Sequence, residues 1–284
     1  MTLAVINSGI STEVKQIFIM NSGALVPCKA VWVKAIDNRP YQVFKPTIDI
    51  EINTTVYNAN LQEIVKGILG YEPTYPINVN VTIGSSGIVG QTYTLSGTTP
   101  NRIQTKDSIA ALQTGTLPAN STVTINNYGY IVGCGGQGGS YGSIGSVTYP
   151  TSARGDKWTG GDALNLTCPT IINNYNTIAG GGGGGSGGDG GGGNSIGGGG
   201  GAGSDGGVGG YGFGGSQSYG LTGTLTAGGL DTHNQNSAGG ALGQNGKYNG
   251  QDGSRGVGLA GAYVVGNGFV TWANAGTCLG NVLA

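Results

Sequence analysis

The chain has 284 residues, of which 62 are glycine, and only 9% are charged, for a formal net charge of -1. A charged fraction so far below the usual value of about 25% removes the basic surface that a phosphate-binding protein needs, and the charge-rich composition of one common kind of disorder. Glycine follows no strict G-X-Y period and proline is scarce, which excludes collagen.

Length favours two domains. The start, MTLAVINSGISTEVKQ, has neither a basic opening nor a long apolar run, so neither a signal peptide nor a transmembrane segment is expected. Synthesis in a reducing cytoplasm follows. Cys28, Cys134, Cys168 and Cys278 are far apart and form no C-x-x-C pair, which points to free thiols rather than a metal or redox site.

Residues 14–46 read as β-structure. Residues 16–20 and 30–34 are rich in the aromatic and branched side chains that strands prefer, and lie fourteen residues apart. Each precedes a turn signal, Asn21-Ser22-Gly23 and Asp37-Asn38-Arg39-Pro40, and then a second short strand. The pattern is a duplicated hairpin with Phe18 and Trp32 at equivalent positions. It reads either as a small meander packing on itself or as a docking surface for another chain.

Asn60 opens the one clear helix, near residues 60–70, with Glu63 placed as in a capping box and Gly70 at its end. Leu61, Ile64, Val65, Ile68 and Leu69 make its apolar face. Residues 77–83 alternate strictly between apolar and polar, and residues 121–125 form a second strand of that kind.

The phrase Ile125-Asn126-Asn127-Tyr128 returns as Ile172-Asn173-Asn174-Tyr175, 47 residues on, and both copies run into glycine. Between 179 and 215 there is almost no large apolar side chain. Such a stretch is either a linker or a set of extended threefold helices bonded backbone to backbone, as glycine permits. A linker has no reason to repeat a strand, two asparagines and a strand, so the repeat favours a folded region. The ending, with strand-like residues 262–265 and 268–272, is expected to return and close the bundle.

Catalytic patterns inside the glycines follow from composition. Residues 184–188 satisfy G-x-S-x-G without its strand–turn–helix context, and His233 is the one histidine. Residues 184–189 and 200–205 match the first six positions of a calcium nonapeptide, but glycine takes the aliphatic position in both and the spacing is sixteen. No metal, cofactor or enzymatic activity is expected. Aromatic residues in the inserts between glycine islands are more telling. They either cap the bundle or, with neighbouring Ser, Gly and Asn on a rigid scaffold, make a paratope.

NANLQEIVKGILG, the strand PINVNVTI and LPANSTVTINNYGYIVGCGGQGG resemble a module of phage tail adhesins. The glycine islands, with the ending GFVTWANAGTCLG, resemble the receptor-recognising adhesins at the tip of T-even phage long tail fibres. The hairpins around Phe18 and Trp32 resemble a fold-back motif of tail tip proteins. Together these cover most of the chain. The module from about residue 58 to 145 is the specific part.

The resemblance implies a mainly β and irregular fold, with a fibre-attachment domain over 1–120 and a sandwich of packed polyglycine II helices over 121–284. It implies a trimeric fibre as one partner, attached through Phe18 and Trp32, and a bacterial outer-membrane protein or lipopolysaccharide as the other. The expected location is the tip of the tail fibre of the virion. The family's loops vary, so receptor residues are assigned by loop chemistry: Tyr141, Tyr149, Arg154, Lys157, Trp158, Tyr211, Phe213, Tyr219, His233 and Tyr248. Turns must alternate between the two ends of a bundle, so only some of the inserts 140–158, 211–219, 230–238 and 245–255 are expected to face a receptor. A structural glycine-rich bundle of ice-binding or matrix type is the rival reading, and an enzyme centred on His233 a third.

Overall fold

The computed structural model describes residues 18–21, 24–27, 31–34, 40–96, 103–140, 143–144, 147–148, 159–191, 194–212, 217–231, 237–248 and 257–284. Among them strands dominate, with one short α-helix. Three five-stranded sheets, each wholly parallel, carry the architecture.

The first coil consists of Thr47–Ile52, Thr55–Tyr57 and Ala59–Asn60. The second repeats this order as Asn78–Ile83, Ile88–Gly90 and Leu112–Gln113. The third is Thr122–Asn127, Tyr130–Val132 and Leu164–Asn165. The fourth is Thr170–Asn174, Thr177–Ala179 and Ala262–Val265, and the fifth Val270–Asn274, Thr277–Leu279 and Asn281–Leu283. First strands pair with first strands, second with second and third with third, so the chain winds a three-sided β-solenoid. The faces draw strands from both sides of residue 120.

Period-two alternation explains why these residues form walls. Val79, Val81 and Ile83 point inward and are wholly buried, while Asn78, Asn80 and Thr82 stay half-buried on the outside. Register then stacks like on like. Ile50, Val81, Ile125, Ile172 and Trp272 form one column of paired positions, and Val56, Val89, Ile131, Ile178 and Cys278 another. Leu112, Leu164 and Val264 line the third face of the same core.

The 47-residue repeat is the step from coil three to coil four: Ile125 pairs with Ile172 and Asn127 with Asn174. Both asparagines turn inward at the corner between the first and second faces. The Nδ2 of Asn127 donates to Asn174 Oδ1 at 2.8 Å, and that of Asn174 to the Ala275 carbonyl at 2.7 Å. Their Oδ1 atoms accept the N–H groups of Gly129 and Asn176, and Asn274 accepts that of Gly276. Each corner therefore satisfies its own backbone with one side-chain amide.

The helix Leu61–Leu69 follows the first coil. Asn60 Oδ1 accepts the Gln62 N–H at 3.1 Å, and Gly70 ends the helix at φ 74°. Leu61 and Val65 are buried, Ile64 and Leu69 partly so, and Ile68 is exposed, so the apolar face is narrower than its spacing suggests. The last strands do return, but they complete the solenoid rather than close the glycine bundle. Near the start, Phe18–Asn21 pairs antiparallel with Ala24–Pro27, and Val31–Lys34 with Pro40–Phe44, which gives the two hairpins.

Three excursions, 91–111, 133–163 and 180–261, all leave the solenoid between its second and third faces. The glycine segments of the last two bond to one another through their backbones. Segment 197–203 is the clearest case. Gly198 and Gly201 donate to Gly139 and Gly136; Gly199 and Ala202 donate to Ser237 and Gly240; Gly200 and Gly203 donate to Leu221 and Thr224. Donors three residues apart thus reach the same neighbour. The segment also accepts bonds from Gly182 and Gly185, from Gly207 and Gly210, and from Gly229. Every N–H from Gly198 to Gly203 and every carbonyl from Gly198 to Ala202 is thereby paired. A Cβ added at Gly201 would lie 1.9 Å from the Gly182 carbonyl oxygen, so close approach, not a positive φ, is what demands glycine here.

Candidate functional site at the far end of the bundle

Hydrogen-bond pairs fix the direction of every described segment. Gly136 and Gly139 donate to Gly182 and Gly185, so 133–139 and 180–187 run together. Gly182 and Gly185 donate to Ala202 and Gly199, which reverses 197–203. Gly207 and Gly210 donate to Gly201 and Gly198, and Gly220 and Gly223 to Gly210 and Gly207, which reverses the chain twice more. Leu221 and Thr224 bond Leu230 and Ala227, Gly183 and Ser186 bond Gln244 and Lys247, and Gly258 and Gly261 bond Gly184 and Gly181.

The near end is the one where 133, 180 and 261 meet the solenoid strands. There the reversals are short: 203–206, 224–227 and 241–244. The far end receives the links 140–159, 187–197, 211–219, 231–237 and 248–257. All four inserts singled out in the sequence therefore depart from and return to one end. The expectation that only some of them would share an end is corrected, because the near-end reversals are made by short stretches within the islands.

The described stems of these links are individually locked. Tyr211 and Tyr219 form an antiparallel bridge, with ring centroids 4.6 Å apart and planes at 77°. The Tyr211 N–H donates to Ser140 Oγ at 3.0 Å, which joins the first link to the third. Asp231, buried, accepts the Ser237 N–H on Oδ2 at 2.7 Å and closes the stem of 231–237. Asn245 Oδ1 accepts the Ala260 N–H at 2.8 Å, drawing the outgoing and returning arms of the last link together. Tyr219 and Tyr248 are exposed and Tyr211 half-buried.

Of the assigned receptor residues, Tyr211, Tyr219 and Tyr248 are thus placed at the far end. Tyr141, Tyr149, Arg154, Lys157, Trp158, Phe213 and His233 lie outside the described residues. Phe18 and Trp32 are described as strand backbone, and their side chains lie outside the description. Sequence reasoning missed Ser140, Asp231 and Asn245 as stem locks. A hydroxyl, acid or amide beside a glycine island, where polar side chains are otherwise rare, was the available signal. Ser186 of the G-x-S-x-G pattern is wholly buried in the bundle, its N–H donated to Lys247.

Fold and site together define the class: a three-sided β-solenoid with a backbone-bonded glycine bundle whose long links have their stems at one end. The family model of the phage tail fibre adhesin Gp38 matches residues 47–283, and the chain belongs to that family. Among solved structures it is similar to the crystal structure of the gp37-gp38 adhesin tip complex of the bacteriophage S16 long tail fiber. The TM-score is 0.51 at 25% identity, over 84% of this chain and 83% of that chain. Comparison with curated proteins gives no match.

Proposed function

We propose that this chain is the tip adhesin of a phage long tail fibre and that its far-end loops bind a bacterial outer-membrane receptor, protein or lipopolysaccharide, and so set host range. The observation that carries this reading is the gathering of every long link at one end of the bundle, opposite the solenoid. The role is binding rather than catalysis, as the adhesin family suggests. The glycine segments are read as packed polyglycine II helices, a reading supported by the threefold direction of their donors. The remaining division of labour gives residues 1–120, with the hairpins of Phe18 and Trp32, to attachment on a trimeric long-tail-fibre protein, and the glycine bundle within 121–284 to the receptor. The working location is the virion's fibre tip.

Removal of an aromatic binding anchor costs about 2 kcal/mol, or roughly thirtyfold in affinity. Tyr219→Ala with Tyr248→Ala is expected to slow adsorption to host cells by that order while the adhesin still folds and co-purifies with its fibre. Adsorption at the normal rate would place recognition elsewhere. Phe18→Asp with Trp32→Asp should do the converse, abolishing co-purification with the fibre while leaving the fold intact.

A further inference from the structure

The corner between the first and second faces carries a feature that the far-end reading does not use. Tyr128 and Tyr175 occupy equivalent positions in coils three and four, each directly after an inward asparagine. Their rings stack with centroids 4.8 Å apart and planes at 6°. In coil five the same corner reads Asn274-Ala275-Gly276. Its equivalence is fixed by the hydrogen bonds: Asn274 Oδ1 accepts the Gly276 N–H as Asn127 accepts that of Gly129 and Asn174 that of Asn176. Alanine thus stands where the third ring of the stack would be. Tyr128 covers one face of the Tyr175 ring, yet Tyr175 remains 54% exposed, so its other face is open above Ala275.

We propose that this vacant rung is a binding site for the ring of a neutral sugar, stacked on Tyr175. Adjacent strands of a sheet are about 4.8 Å apart, so a ring stacked on Tyr175 lies level with coil five, the edge coil of all three sheets, beside Ala275. The face of a phenol carries negative potential and attracts the C–H face of a pyranose. No acidic or basic residue lies at positions 126–129, 173–177 or 274–277, so nothing there selects for a charged ligand. The exposed Asn274, whose Oδ1 holds the Gly276 N–H, borders the slot with an amide Nδ2 suited to a sugar hydroxyl, whereas Asn176 turns the other way, its Nδ2 on the Tyr128 carbonyl at 3.1 Å. The corner feeding the glycine bundle is a different one, so this site is independent of the far-end loops.

Saturation-transfer NMR on the full chain, with methyl glucoside, methyl galactoside and N-acetylglucosamine as probes, tests it. Wild type and Tyr175→Phe should transfer to the ring C–H protons of at least one sugar. Ala275→Tyr fills the rung with a third phenol. It should keep the native circular dichroism spectrum and weaken binding by about tenfold or more, as should Tyr175→Leu. Absence of transfer from wild type to all three sugars, or undiminished transfer in Ala275→Tyr or Tyr175→Leu, overturns the assignment. Far-end variants such as Tyr219→Ala should leave the signal unchanged, which separates this site from the receptor reading.

Discussion

The Oε1 of Gln104 accepts the backbone N–H of Val208 at 3.1 Å, across 104 residues of sequence. The same side chain donates through Nε2 to the Gly135 carbonyl, and the Gln104 N–H donates to Gln137 Oε1 at 2.8 Å. A side-chain amide here does what a neighbouring glycine segment does elsewhere in the bundle. It sits on the hairpin of Tyr93–Ser96 and Ile103–Lys106, which lies along segments 133–139 and 206–210. The hairpin is anchored again by the Tyr93 hydroxyl on the Gly206 carbonyl at 3.0 Å.

Gln104→Leu removes both side-chain bonds and leaves the Val208 N–H and the Gly135 carbonyl without this partner. Each buried group so stranded costs about 1–3 kcal/mol. A lower urea midpoint, by an amount equivalent to roughly 2–6 kcal/mol, is expected. An unchanged midpoint would show that the hairpin does not brace the bundle.

Glycine has opposite meanings in the bundle and in the helix. Gly201→Ala would push a Cβ to 1.9 Å from a carbonyl oxygen held by rigid neighbours, whereas nothing lies within 4 Å of a Cβ at Gly67. Gly201→Ala should therefore cost on the order of 3 kcal/mol or more. Gly67→Ala should gain about 1 kcal/mol. Thermal melts of the two variants should move in opposite directions.

Burial pushes the Cys134 thiol up from 9.0 to about 12, with the Lys106 charge pulling back and Asp205 pushing further up. The unfolded chain therefore loses this proton first as pH rises. The contribution to stability is complete below pH 9.0 and is lost progressively up to about 12. Urea midpoints measured at about pH 8 and about pH 10.5 should differ less in Cys134→Ala than in wild type. The wild-type thiol should also resist alkylation at neutral pH until the protein unfolds.

The sequence announced single strands better than it announced what they belong to. Asn78–Ile83 and Thr122–Asn127 are legible as alternating strands, and they are direct neighbours. The solenoid stays hidden because its partners are separated by excursions of unequal length. Thr122 pairs with Asn78 across 44 residues, while Ile172 pairs with Trp272 across 100. Third-face strands such as Leu112–Gln113 are too short to show any period. Only coils three and four keep the same wording at their shared corner, and that repeat was visible. The glycine segments were legible from composition, since a run without side chains has few ways to be satisfied. Their directions were not, because those depend on which carbonyl each N–H finds.

The three-residue pattern of donors in segment 197–203 sets a unit of length for the interior of the bundle. Inserting one residue before Gly198 would turn every later N–H toward the wrong neighbour, and inserting two would turn them toward the remaining one. Three restore each direction and displace the segment by one full turn, about 9.3 Å at 3.1 Å per residue. Lineages of such a protein should therefore change their islands in triplets, while the links at the far end are free to change by any number of residues.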